Sequence, residues 1–305
     1  MERREGKLIE VKHRMSISIL TIAGKVLLTF VFIALITVIL SIAAAVAAIV
    51  RQPNLEFTLS SIAQDPFFVQ SALWAQIIGF IGGVLITFAI FERRKGWSLG
   101  LQFRQFPKRL GEGFLAGAVL ITLSCGGIWL FGGASLLFTS WTAALTLKML
   151  GSFLLFIGVG VNEELFARGF LQGLVKAKFG ASMGMAVSTF VFALLHSFNP
   201  GMWDSPLPFI NLLLAGLLFA VCREYSGGLW MPIGMHVSWN FFQGCMFGFG
   251  VSGTPMVSWM QAQPKGSLYL SGGIFGAEGS FVTTVILLIG ILGLYAYYHK
   301  LSKNR

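Results

Sequence analysis

The segment Asn162-Glu163-Glu164-Leu165-Phe166-Ala167-Arg168-Gly169 places three charges inside an apolar run long enough to span a bilayer. Each such charge costs at least roughly 2.5 kcal/mol to insert, so intramembrane ionisable groups face a bundle interior or a wet cavity and act there. On a helix, Glu164 and Arg168 are four apart and share a face, where they can pair, while Glu163 points about 100° away. This spacing predicts a division of labour: Arg168 neutralises and orients Glu164, and Glu163 projects into a cavity as a base. A purely structural Glu164–Arg168 pair would leave Glu163 as an added charge with no local partner.

Two later apolar runs carry one histidine each. Phe192 lies on the face of His196 at i, i+4, although a lone membrane histidine serves equally well as a packing residue. His236 and Asn240 are also four apart, close enough to contact one bound group. Imidazole with carboxamide can bind a metal ion or a water, or donate to an oxyanion. His13 and His299 fall in segments outside the apolar runs and are not candidates.

The elements that must position these groups follow from composition. The chain has 305 residues, 55% hydrophobic and 11% charged, with mean hydropathy +0.78, against roughly 25% charged in an average soluble domain. Apolar runs at 22–50, 68–91, 111–134, 146–174, 182–198, 207–223, 230–249 and 280–298 predict an all-α, polytopic transmembrane bundle of about eight helices in a single domain spanning 1–305. The net charge of +10 does not indicate nucleic acid, because the basic residues alternate by loop. Arg3, Arg4, Lys7, Lys12, Arg14 and Lys25, then Arg93, Arg94, Lys95, Arg104, Lys108 and Arg109, then Lys176, Lys178, Arg223, Lys300, Lys303 and Arg305 share one side; Arg51, Lys148 and Lys265 take the other. The positive-inside rule then puts both termini in the cytoplasm.

The first run ends in Ala43-Ala44-Ala45-Val46-Ala47-Ala48 but is too long for an ordinary signal-peptide core, so an uncleaved anchor is expected. Cys125, Cys222 and Cys245 lie in apolar runs without a C-x-x-C pair, which points to buried small hydrophobes rather than a disulfide framework or zinc ribbon. Gly113 with Gly117, and Gly79 with Gly82 and Gly83, predict close helix approaches. The Gly- and Ser-rich stretch 250–279 reads as an outer-face loop, with Glu278 near the start of the last helix. At about 1.5 Å per residue, Glu163 lies roughly 17 Å from the cytoplasmic end of its helix, and His236 and Asn240 roughly 9 to 15 Å. His196 calculates deeper, at about 21 Å.

Glu163-Glu164-x-x-x-Arg168, Phe192-x-x-x-His196 and His236-x-x-x-Asn240, in that order on separate runs, resemble the three motifs of the CaaX protease and bacteriocin-processing (CPBP, or Abi) family, which includes type II CaaX prenyl endopeptidases. The resemblance covers a core at 146–249, and the Gly-rich 271–280 segment also looks like bacterial members. No motif position departs from the pattern, and the first four spans up to the Glu-Glu pair carry no diagnostic residues. The resemblance implies an intramembrane protease, called a metalloprotease by convention, in a bacterial cell membrane. Glu163 would be its general base, supported by Glu164 and Arg168. His196 would hold the attacking water or a metal, while His236 and Asn240 would bind metal or stabilise the oxyanion. Zn2+ through His196 and His236 and a metal-free, glutamate-activated water are both compatible, since H-E-x-x-H is absent. The expected partners are membrane lipid and a membrane-associated or lipidated protein or peptide, of CaaX or bacteriocin type. A proton-coupled transporter using the same residues as a relay, and a non-catalytic immunity protein on the same scaffold, are the alternatives.

Overall fold

The structure, a computed structural model, describes the backbone of residues 2–52 and 58–303 and, within them, the side chains of 15–298 except 59 and 105. The terminal residues Arg3, Arg4, Lys7, Lys12, His13, Arg14, His299, Lys300, Lys303 and Arg305 have side chains outside that range. The chain is a polytopic helical membrane protein. Its helices are α1 (Glu2–Arg51), α2 (Pro66–Phe91), α3 (Phe106–Leu130), α4 (Ala143–Phe179), α5 (Ala181–Leu195), α6 (Leu207–Ser226), α7 (Trp230–Phe241) and α8 (Phe281–Lys303).

Each predicted apolar run becomes a helix, but not each becomes a full span. Among the described residues α1, α2, α3, α4, α6 and α8 are long and apolar enough to cross a membrane, while α5 and α7 are shorter. The expected helices at 182–198 and 230–249 overran: α5 stops at Leu195, and α7 passes into a π-helical turn, Phe242–Met246. The helix expected over 111–134 also ends early, at Leu130. Gly132, at φ 80°, turns the chain into a strand, β1 (Ala134–Phe138). This strand pairs antiparallel with β2 (Met260–Pro264), Ala134 opposite Pro264. A two-stranded sheet inside the expected loop region was not foreseen.

Local chemistry starts the helices where they begin. The Asp65 side chain accepts from the Phe68 N–H at 2.8 Å, with Pro66 at the first helical position of α2, so one orphan donor is satisfied and another is absent. Thr142 caps α4 in the same way, accepting from Leu145 N–H at 3.1 Å. Within α4 the ladder widens to a π segment, Leu165–Leu171, in which every residue is buried. Such insertions are rare and concentrate at functional sites.

Small residues bring the helices together. On α2, a Cβ at Gly83 would sit 2.9 Å from the Ile33 backbone nitrogen of α1. The same pair of helices is joined by Thr29 and Thr87 at 3.0 Å and by Lys25 with Glu92. Burial alone would raise the Glu92 carboxyl, but hydrogen bonds from Lys25, Lys95 and Trp97 outweigh it and hold it below the ordinary range. On α3, Gly113 and Gly117 lie directly against the Met231 and Met235 carbonyls of α7, and Gly234 of α7 returns the contact to Leu110.

The helices alternate in direction and give the bundle two distinct ends. At one end Leu229 N–H donates to the Gly100 carbonyl at 2.8 Å and Trp230 Nε1 to Gln102 at 2.9 Å, beside Arg93, Arg94, Lys95, Arg104, Lys108, Arg109, Lys176, Lys178 and Arg223. At the other lie β1, β2 and the turns after α5 and α7, with Arg51, Lys148 and Lys265.

The α3–α7 contact leaves no room for a side chain. Gly117→Ala is expected to destabilise the protein by about 1–3 kcal/mol through overpacking, while Gly126→Ala on the same helix, which faces open space, leaves the unfolding temperature in detergent unchanged.

Candidate active site

Glu163 and Glu164 close the α-helical part of α4, immediately before the π segment that carries Arg168. Arg168 Nη1 donates to Glu164 Oε1 at 2.9 Å, and Nη2 donates to the Gly216 carbonyl of α6 at 3.1 Å. Neither side chain of the pair is exposed to solvent. The guanidinium carbon stands 4.1 Å from the Phe192 ring centroid and 5.2 Å from that of Phe219. A dry ion pair holds only when its geometry and additional bonds offset desolvation, and the two rings and the carbonyl supply that support.

Glu164 Oε1 also meets His236 Nδ1 at 2.9 Å. A carboxylate bound by arginine only accepts, so Nδ1 carries the hydrogen and a neutral His236 keeps its lone pair on Nε2. His196 obeys the same logic, with Nδ1 2.8 Å from the Phe192 carbonyl oxygen. Both Nε2 atoms then turn toward one atom: Glu163 Oε2 lies 3.8 Å from His196 Nε2 and 3.9 Å from His236 Nε2. Phe219 lies flat on His236, the rings 5.1 Å apart and inclined by 16°, and Phe192 packs against His196 at 4.8 Å.

These groups line one end of a cavity of about 810 Å³ that Asn240 also lines, one turn beyond His236. Ser252 and Glu278 line the same cavity. Glu278 lies in the turn just before the last helix, as expected, and its buried carboxylate accepts from Ser252 N–H at 2.8 Å and Oγ–H at 2.9 Å. Asn199 Nδ2 donates to the Ser252 carbonyl at 3.0 Å. Ser252 stands at φ 45°, the one non-glycine at positive φ among the described residues, and these bonds hold it in that costly conformation.

The structure brings Glu163, Glu164, Arg168, His196 and His236 together and sets Asn240 in the same cavity. His196 was expected deeper than the others, and the discrepancy came from the helix boundary. That boundary is the end of α4, which runs to Phe179 instead of the expected 174, so Glu163 lies about 7 Å deeper than expected and level with His196. Phe219, Gly216, Ser252 and Glu278 were not singled out as site residues. The aromatic and glycine contacts carry no signal beyond ordinary helix packing, whereas Glu278 was visible as the acid within a glycine-rich stretch.

The donor chemistry of two imidazole Nε2 atoms and a carboxylate oxygen suits Zn2+, and Glu163 Oε2 is buried without a hydrogen-bond donor. In this arrangement, however, no three His, Cys, Asp or Glu side chains among the described residues are gathered to hold a metal ion.

Residues 145–242 match the family model of type II CAAX prenyl endopeptidase Rce1-like proteins. This segment is a CaaX-protease-like domain. The likeness is to a family of endopeptidases and covers this segment alone. The match includes Glu163, Glu164, Arg168, His196, His236 and Asn240, while α1, α2, α3 and α8 flank it. No curated protein matches the chain.

Within the CaaX-protease-like domain the Glu164–Arg168 pair can be tested by a double-mutant cycle. Arg168→Met strands a buried carboxylate and is expected to cost about 3–5 kcal/mol. Adding Glu164→Gln should restore part of that loss in thermal unfolding of the detergent-solubilised protein.

Proposed function

We propose that the chain is an intramembrane endopeptidase that hydrolyses a peptide bond of a membrane-associated protein or peptide, with Glu163 as the general base. The observation that carries this reading is the approach of the His196 and His236 Nε2 atoms to one Glu163 oxygen, at 3.8 and 3.9 Å. Those separations exceed a hydrogen bond but are less than twice one of about 2.8 Å, so a single water can donate its two hydrogens to Glu163 and His196 and lie beside His236.

The water gives one proton to Glu163 while its oxygen forms the new bond to the carbonyl carbon of the scissile peptide. His196 accepts the hydrogen bond of the water's second proton. Charge develops on the former carbonyl oxygen, and the Asn240 carboxamide donates to it. Protonated Glu163 then passes its proton to the leaving nitrogen as the C–N bond breaks. Glu164 and Arg168 do not touch the reacting atoms; they fix the tautomer and tilt of His236, which borders the water. A Zn2+ ion held by His196 and His236 would supply Lewis-acid activation to the same water, and no step above requires it.

The transporter alternative requires continuous proton passage rather than a confined water between a base and an oxyanion donor. The Asn240 donor beside His236 favours hydrolysis over a relay. The family-level match and the largely apolar cavity support one substrate class, a polypeptide tethered at or in the membrane, lipidated or not.

Purified protein incubated with a panel of membrane-anchored peptides provides the test. Glu163→Gln should reduce cleavage by roughly 100- to 10,000-fold with unfolding temperature preserved. Asn240→Ala should lower kcat on the order of 100- to 1,000-fold with little change in KM. Cleavage that survives both substitutions rejects the mechanism, and a proton flux in liposomes lost in the same variants selects the transporter. Zinc in stoichiometric amount that leaves with activity on chelation and restores it on return would move the water onto a metal.

A further inference from the structure

The site is closed toward one end of the bundle and open toward the other. Below Glu163, toward the basic end, the entire π segment Leu165–Leu171 is buried. Leu99 and Leu229 seal the same side, at 7% and 0% exposure, and Trp97 fills the space that a Cβ on Gly173 would need.

The cavity runs in the opposite direction. Its lining reaches Gln70 near the start of α2, Lys148 near the start of α4, and Thr254, Pro255 and Val257 in the turns after α7. All five are exposed and stand at the strand-bearing end. The rim is built rather than loose: Asn199 and Glu278 clamp Ser252 from two sides at 2.8 to 3.0 Å. A carboxylate and two imidazoles at the floor of a cavity with such a mouth meet water and polypeptide from that end.

The basic residues of the described loops crowd the closed end, and lysine and arginine excess marks the cytoplasmic side of a membrane protein. We propose that the chain takes its substrate from the non-cytoplasmic side of the membrane, as a membrane-tethered polypeptide segment that enters between the first turns of α2 and α4 and the Ser252–Val257 rim. This assignment of substrate side rests on the protease reading for its biological meaning, but the orientation of the mouth is measurable without catalysis.

Single cysteines introduced for labelling with membrane-impermeant thiol reagents in intact cells provide the experiment. The native Cys125, Cys222 and Cys245 are buried and give a low background. Val257→Cys at the rim should label in intact cells, and so should Leu155→Cys on the cavity wall when a small charged reagent is used. Arg94→Cys at the basic end should label only after permeabilisation. Labelling of Arg94→Cys in intact cells, with Val257→Cys protected, would overturn the proposal by reversing the chain in the membrane. Val257→Cys labelled with Leu155→Cys inert would overturn it by showing that the mouth does not reach the site. Repeating the series in a Glu163→Gln background separates the two claims, because accessibility should persist there whether or not the protein is a protease.

Discussion

The Glu164–Arg168 pair is the constraint on which the rest of the site depends. Two formal charges without solvent need support from their surroundings, and three neighbouring helices give it: α6 the Gly216 carbonyl and the Phe219 ring, α5 the Phe192 ring, and α7 the His236 imidazole, while Glu164 Oε2 and Arg168 Nε stay without a hydrogen-bond partner. The pair thus acts as the joint that ties α4, α5, α6 and α7 into one arrangement. Removing one partner strands a buried charge, so loss of either one costs far more than the intact pair contributes.

Glu163 depends on that joint without belonging to it. It is adjacent in sequence, yet its carboxylate turns into the cavity while Glu164 turns into the protein, because neighbours on a helix diverge by about 100°. One residue anchors a histidine from behind, and the other faces the same histidine from the front. His236 therefore sits between two carboxylates that differ in burial and in partners, Glu164 fully enclosed and Glu163 partly exposed to the cavity.

Much of this was legible in the sequence. The cost of intramembrane charge singled out Glu163, Glu164 and Arg168, and four-residue spacing identified the Glu164–Arg168 contact and put His236 and Asn240 on one wall. Close helix contacts at Gly113, Gly117 and Gly83 were legible too, because small residues at regular spacing have few other uses in an apolar helix. What was not legible depended on non-local geometry. The π segment has no residue signature, and the extension of α4 to Phe179 hid the true level of Glu163. The β1–β2 pairing joins residues more than a hundred positions apart, and Ser252 with Glu278 becomes a cavity wall only through Asn199 on another turn.

The glycine contact between α3 and α7 bears on how the family-matched segment is held. Residues 145–242 carry the family match and all the candidate site residues, but α7 rests its backbone on Gly113 and Gly117, which lie outside that segment. Cut away from α3, α7 would lose the backbone surface that sets its height, and a slip by a single helical turn would carry His236 about 5.4 Å from its partners. The stretch that carries the motif therefore leans on helices outside it, and the helices without diagnostic residues act as the gauge against which its two histidines are set level.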